Sequence, residues 1–234
     1  MDVLYLDDCY LKEFEATVES VKDDKFIVLN KSAFYPVSGG QSNDTGKLVK
    51  EDGEEYPIVY VGKFGGLISH ETSKPGLSVG DKVKGVIDWD RRYTLMKMHT
   101  AAHVLSRVIY EEAGAHTSGN QLGIDKSRID FTLENLDREK IQGWIDKTNE
   151  LIAKELPVEI KEITREEAEK TFEGPSKHLM ADLPVLRVIE IKGFDTQSCG
   201  GTHLKNIGEI GGIELVKVSN KGKNNRRIYY RLKR

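Results

Sequence analysis

The sequence predicts an α+β protein in two parts. Residues 1–88 form a small β-barrel domain, and residues 89–234 an α+β domain with a mainly antiparallel sheet. Two observations predict this. The first 88 residues are short β-branched or aromatic runs broken by Gly and Pro, with no competing helical period. From "DWDRRYTLMKMHTAAHVLSRVIYEEAGA" onward, helical patterns alternate with strand patterns, which predicts helices packed on a sheet.

In chain order, "FEATVESV", "KFIVLN", "YPIVYV", "LISHET" and "DKVKGVIDW" are the barrel strands. "SGG", "EDGEE", "FGG" and "KPGLSVGD" punctuate them. Leu95, Met98, Ala102, Leu105 and Ile109 then recur at helical spacing, with Asp90 placed at the N-cap and Gly114 at the stop. "SRIDFTL" alternates like a half-buried strand. Ile141, Trp144, Ile145, Thr148, Leu151 and Ile152 share one face of a second helix, which ends before Pro157. "PVEIKEI" is a strand. Thr164 and Glu167 form a capping box that opens a short helix. "PVLRVIEI", "IELVKVS" and "RRIYYRL" complete the sheet, the last two flanking the turn "NKGKNN".

The chain's 234 residues can bury a real core, and 38% hydrophobic with 31% charged residues fits a soluble globular protein. No apolar run approaches the roughly 18 residues of a membrane helix. "MDVLYLDD" lacks the basic start of a signal peptide, so no export is expected. Cys9 and Cys199 are too few for a disulfide framework, which points to the cytoplasm. Residues 1–88 hold 10 basic and 16 acidic side chains, whereas residues 89–234 hold 25 and 22. From Leu215 on there are eight basic residues and no acidic one, so a polyanion should meet the second half. A basic edge strand guarding against aggregation accounts for the same residues.

Chemistry concentrates in two short motifs. His99 and His103 in "HTAAH" lie one helical turn apart on one face, so both rings can meet one ion. Thr100 occupies the position where metalloprotease helices carry a Glu, so no general base is supplied there. In "SCGGTH", Gly200 and Gly201 let the chain turn tightly between Cys199 and His203. Together the two pairs make an N₃S donor set suited to zinc, and they hold four of the chain's eight Cys and His residues. Cys199 as a catalytic nucleophile is the rival reading, and a non-enzymatic RNA-binding module with structural zinc another. His70, His116 and His178 read as surface or packed histidines, with His116 near the polar stretch "TSGNQLG".

"HTAAH" with "SCGGTH" resembles the zinc signature of the editing domain of alanyl-tRNA synthetase, and the related domain of threonyl-tRNA synthetase is similar. "FYPVSGGQSNDTG" and "SRIDF" match further elements of that family, in family order, over nearly the whole chain. With no aminoacylation domain in the sequence, the match is to the free-standing AlaX-type trans-editing proteins of medium length, which carry an N-terminal barrel. The resemblance implies a zinc-dependent hydrolase that deacylates mischarged tRNA(Ala), chiefly Ser-tRNA(Ala) with Gly-tRNA(Ala) as a further candidate, with one Zn(2+) per chain. It needs no protein partner and no membrane, and the oligomeric state is left open.

Carried over residue by residue, His99, His103, Cys199 and His203 are the zinc ligands, through which catalysis runs. Gly39, Gly40 and Gln41 belong to the glycine-rich motif that faces the editing pocket, though Ser38 stands where the family usually has a first glycine. Thr100, Gln121 and Gln197 are the polar neighbours expected to bind substrate. Arg91, Arg92, Lys221, Lys223, Arg226 and Arg227, with Arg231, Lys233 and Arg234, are expected at tRNA phosphates. Three protein ligands plus a water would leave zinc open for catalysis, and four would close it into a structural site. The first arrangement is favoured.

Overall fold

A computed structural model describes residues 1–135, 137–172 and 183–233. The chain divides into two compact units at Leu95/Met96. Among the described residues no helix is long and apolar enough to cross a membrane.

The first unit contains strands β1 (Asp2–Val3), β2 (Glu13–Lys22), β3 (Phe26–Leu29), β4 (Lys31–Ser32), β5 (Gly46–Lys50), β6 (Glu55–Phe64), β7 (Leu67–Thr72) and β8 (Lys82–Ile87). Six of them close into a barrel in the order β2-β3-β7-β6-β5-β8, with every neighbouring pair antiparallel. Closure removes the exposed edges that an open sheet would present. Strict alternation drives it. Phe14, Ala16 and Val18 of β2 point inward while Glu13 and Glu15 point out, and Ile27, Leu29, Leu48, Ile58, Val61 and Ile68 fill the same core. His70 is a packed core histidine. Its Nδ1–H donates to the carbonyl of Ile27 at 2.9 Å and its Nε2 meets the Ser32 hydroxyl at 2.7 Å. Burial pushes its pKa down to about 4, which keeps the ring neutral.

The glycine-rich stretch is a two-residue turn. Ser38 and Gln41 each donate N–H to the other's carbonyl, at 3.2 and 2.9 Å, and Gly39 and Gly40 have φ of 54° and 83°. Two successive positive φ values are what such a turn demands and what glycine supplies. Gln41 is fully buried.

Arg92 requires a correction. It is 0% exposed. Its Nε lies 3.0 Å from both oxygens of Asp44, its Nη1 donates to the Cys9 carbonyl at 2.9 Å, and its Nη2 donates to the Ala33 carbonyl. Asp44 also accepts the backbone N–H of Tyr35 at 2.6 Å. The guanidinium is neutralised and hidden from solvent, so it is a clamp on the chain following β4 rather than a phosphate contact.

Helix α1 (Trp89–Ala113) runs through the unit boundary. Its N-terminus differs from the expectation at Asp90: Asp88 is the cap, its Oδ1 accepting from Arg91 N at 3.3 Å and its carbonyl from Arg92 N at 3.0 Å. Gly114, with φ of 63°, ends it as expected. From Leu95 to Ile109 the helix is buried on nearly every side, its polar His99, Thr100, His103 and Ser106 included.

The second unit continues with β9 (Thr117–Gln121), β10 (Ser127–Phe131), α2 (Arg138–Ile152), β11 (Val158–Thr164), α3 (Arg165–Thr171), β12 (Val185–Ile191), β13 (Asp195–Ser198), β14 (Ile213–Asn220) and β15 (Arg226–Leu232). Two antiparallel sheets form where one was expected: β14-β15-β10-β9 and β11-β12-β13. Tyr230 of β15 donates to the Met98 carbonyl at 2.7 Å, which ties the first sheet to α1. The second sheet is two-faced. Leu186 and Val188 of β12 pack on Ala168 and Phe172, next to α3. Arg187, Ile189 and Ile191 take the opposite face. The capping box of Thr164 and Glu167 is present at the start of α3.

Arg226 is also corrected. It is 8% exposed and donates to the carbonyls of Gly222, Asn225 and Glu134, closing the β14–β15 turn.

Candidate metal centre

Two elements deliver the donors. Helix α1 projects His99 and His103 from one face, and the chain leaving β13 turns through Gly200 and Gly201 to present Cys199 and His203. One ligand atom from each of the four lies within 4.8 Å of all the others. The Sγ of Cys199 is 3.5 Å from Nε2 of His99 and 3.3 Å from Nε2 of His203. The ring centroids of the three histidines are 4.3 to 5.2 Å apart.

These separations fit zinc. Tetrahedral bonds of about 2.3 Å to sulfur and 2.0–2.1 Å to nitrogen put S and N about 3.5 Å apart. Softness fits as well, since thiolate and imidazole are zinc donors. The N–H of Gly201 points at the sulfur at 3.4 Å, which favours the thiolate. All three imidazoles are buried. Desolvation first, and neighbouring positive charge second, hold His99 and His203 well below the usual histidine range and His103 at about 4. Neutral rings keep their lone pairs for a metal.

Thr100 has a different task from the one expected. Its fully buried Oγ1 accepts from Leu204 N at 3.2 Å and lies 3.2 Å from Nδ1 of His203. The tautomer carrying its proton on Nδ1 leaves Nε2 as a lone pair facing the sulfur, so Thr100 aims the ring. Thr100→Val is expected to weaken zinc binding about 10- to 100-fold, measured by competition with a chelator of known affinity.

The other expected site residues spread out. Gln197 is buried on β13, and its Nε2 donates to Asp195 Oδ2. Gln121 is exposed at the end of β9 and accepts from Arg128 at 3.1 Å. Gly39, Gly40 and Gln41 form the turn in the first unit. Arg91 donates to the Asn43 carbonyl at 2.9 Å. Arg227 forms a two-pronged pair with Asp130, at 2.6 and 2.8 Å. Arg231 pairs with Glu214. Lys221, Lys223 and Lys233 are exposed, while His178 and Arg234 lie outside the described residues. His116 stacks at a tilt on Tyr110, ring centroids 5.3 Å apart.

Two residues escape a reading by spacing. Arg187 of β12 donates to the Cys199 carbonyl and adds positive charge beside all three histidines. Asp195 is almost wholly buried, with Nη1 of Arg107 at 3.9 Å from its Oδ1. The β12–β13 pairing sets Arg187 beside Cys199, and Asp195 lies further along β13, against Arg107.

A family profile described as the threonyl and alanyl tRNA synthetase second additional domain matches residues 186–229, and one for class II (A) tRNA synthetases matches residues 6–91. The alanyl-tRNA editing protein AlaX-M of Methanosarcina mazei is 54% identical, over 99% of this chain and 96% of its own length. The chain belongs to the AlaX-M family. Its AlaX-M relative from Saccharolobus solfataricus is 41% identical over 98% of each chain. The alanine–tRNA ligase of Thermofilum pendens is 40% identical over 92% of this chain but 24% of its own, so the AlaX-M fold matches one part of that longer protein.

Asp195 gives this AlaX-M chain a pH signature. Burial raises its carboxyl from 3.8 to about 6, against the lowering by Gln197 and Arg107. The folded state therefore binds more protons than the unfolded one between those values. Its contribution to stability is best below pH 4 and is lost as pH rises through 6. Asp195→Asn removes that slope. It is expected to exceed the wild type at pH 7 by on the order of 2 kcal/mol, with the gain shrinking toward pH 4, read from denaturant midpoints.

Proposed function

We propose that the chain is a hydrolase that releases the amino acid from mischarged tRNA(Ala), chiefly Ser-tRNA(Ala) with Gly-tRNA(Ala) as a second substrate, acting in the cytoplasm. The observation that carries this reading is the convergence of His99, His103, Cys199 and His203 within 4.8 Å. The family's printed name and its likeness to part of alanine–tRNA ligases support it. Those four residues would hold one zinc. Zinc supplies Lewis acidity, which polarises an ester carbonyl and makes water a better nucleophile at neutral pH.

The chain's own residues do the rest. The aminoacyl ester is already activated, so placement matters more than force. Burial around the histidines thins the water and strengthens each polar contact with substrate. Arg187 adds fixed positive charge where negative charge develops on the ester oxygen. Residues 89–234 are the deacylase domain in this reading. The barrel domain, residues 1–88, contributes the Gly39–Gly40–Gln41 turn to amino-acid choice. The exposed Lys221 and Lys223 meet RNA phosphates, giving affinity that falls with salt.

Serine and alanine differ by one hydroxyl. A site built to hydrogen-bond that hydroxyl rejects the analogue lacking it by a large factor, whereas an apolar synthetic site excludes the extra hydroxyl poorly. The test is release of amino acid from Ser-, Gly- and Ala-charged tRNA(Ala) by zinc-loaded protein. Serine is expected to be released at least about 100-fold faster than alanine. No release above the uncatalysed rate would make the chain an RNA binder and overturn the reading.

A further inference from the structure

Two rows of side chains face each other at the metal centre. On α1, His99, His103 and Arg107 follow at four-residue steps and stand in line. On β13 and its continuation, Asp195, Gln197 and Cys199 alternate onto one face. Strand pairing reaches that far, because Cys199 N donates to the Arg187 carbonyl at 3.2 Å. The end rungs are measured: Cys199 Sγ to His99 Nε2 is 3.5 Å, and Asp195 Oδ1 to Arg107 Nη1 is 3.9 Å. Four helical residues advance about 6 Å and two strand residues about 6.7 Å, so the rows keep pace. The middle rung therefore sets Gln197 level with His103.

The amide of Gln197 has one orientation. Its Nε2 donates to Oδ2 of Asp195, and an ionised carboxylate only accepts. The carbonyl Oε1 thus turns away from Asp195, and no described residue donates to it. A carboxylate drawing on the amide N–H polarises the group and makes its oxygen a better acceptor. Arg187, whose Nη1 donates to the Cys199 carbonyl, stands beside the centre as a fixed cation. A cationic substrate group arriving there needs an acceptor. Every aminoacyl ester brings one such group, its α-ammonium, whatever its side chain.

We propose that Gln197 Oε1 accepts a hydrogen bond from the α-ammonium of the aminoacyl ester, and that Asp195 is the positioning residue that holds the amide for it. Resting on the deacylase reading, this deepens it. Because the α-ammonium is common to all amino acids, the contact strengthens binding without choosing among side chains.

The test uses full-length, zinc-loaded protein with Ser-tRNA(Ala), Ala-tRNA(Ala) and N-acetyl-Ser-tRNA(Ala). Gln197→Met is expected to lower kcat/KM for Ser-tRNA(Ala) about 10- to 100-fold, the range of a hydrogen bond to a charged group. The Ser-to-Ala rate ratio should stay within about threefold of wild type, within the scatter of a single contact. On the N-acetyl substrate, which has no ammonium, most of the difference between Q197M and wild type should vanish. Asp195→Leu should fall as far as Q197M. Asp195→Asn, which still offers the amide an oxygen, should recover most of that loss. Zinc content should remain that of the wild type throughout.

A collapse of the Ser-to-Ala ratio in Q197M would mean that the carbonyl reads the serine hydroxyl, and would overturn the proposal. So would an equal loss on the N-acetyl substrate, wild-type behaviour of D195L, or loss of zinc from either variant. The wild type alone gives an arm that needs no variant to fold: acetylation must slow it by the factor that Q197M loses. If the wild type releases no amino acid from any substrate, the deacylase reading itself has failed, which is a separate result.

Discussion

Asp44→Ala is expected to destabilise the protein by about 3–5 kcal/mol, a large share of what a domain this size has. Asp44 and Arg92 are both fully buried. Removing the carboxylate leaves a guanidinium without its counter-charge inside the first unit, and frees the Tyr35 N–H that Asp44 accepts at 2.6 Å. Arg92→Met is expected to cost a similar amount, since the carbonyls of Cys9 and Ala33 lose their donor. The double replacement Asp44→Ala with Arg92→Met should be less damaging than the sum of the singles, because no uncompensated charge remains. Denaturant midpoints of the four proteins measure this. A wild-type midpoint for Asp44→Ala would show that the pair is not a clamp.

The second large effect falls on the four candidate ligands. His99→Ala, His103→Ala, Cys199→Ala and His203→Ala should each lower bound zinc well below one per chain and cut deacylation on the order of a thousandfold, as losing a metal from a metal-assisted site does. Added zinc is expected to raise the melting temperature of the wild type, and the four variants should lose that rise, because a ligand stabilises only the fold that binds it. Cys199→Ser separates this from cysteine nucleophile chemistry. In the metal reading it loses zinc and activity together, whereas a nucleophile would lose activity with zinc retained.

Much of this was legible in the sequence because the physics involved is local. Barrel strands such as Phe14–Val18 show their alternation, and the second helix shows the face of Ile141, Trp144, Ile145, Thr148 and Ile152. The four candidate ligands were legible because HxxxH and CxxxH each put two donors on one side of a short segment. Strands β9 and β13 were not, since "TSGNQ" and "DTQS" are poor in apolar and β-branched residues. They are strands because β10 and β12 offer them a ladder. The split into two sheets is likewise a matter of which strands pair, which no local pattern records.

Charge misled in a physical way. Arginine is nearly always exposed, so Arg92 and Arg226 looked like phosphate contacts. Only the fold reveals that Asp44 meets the first and backbone carbonyls meet the second. Arg187 and Asp195 carry no motif at all. Strand register sets Arg187 beside Cys199, and the packing of β13 on α1 sets Asp195 against Arg107, which is why spacing along the chain passed over them.

The most direct test of the account is to measure metal content and Ser-tRNA(Ala) deacylation on one sample, first stripped by a chelator and then titrated with zinc. Turnover should disappear with the metal and return in proportion to zinc, saturating at one equivalent per chain. Full-rate release of serine by protein verified to be free of metal would contradict it.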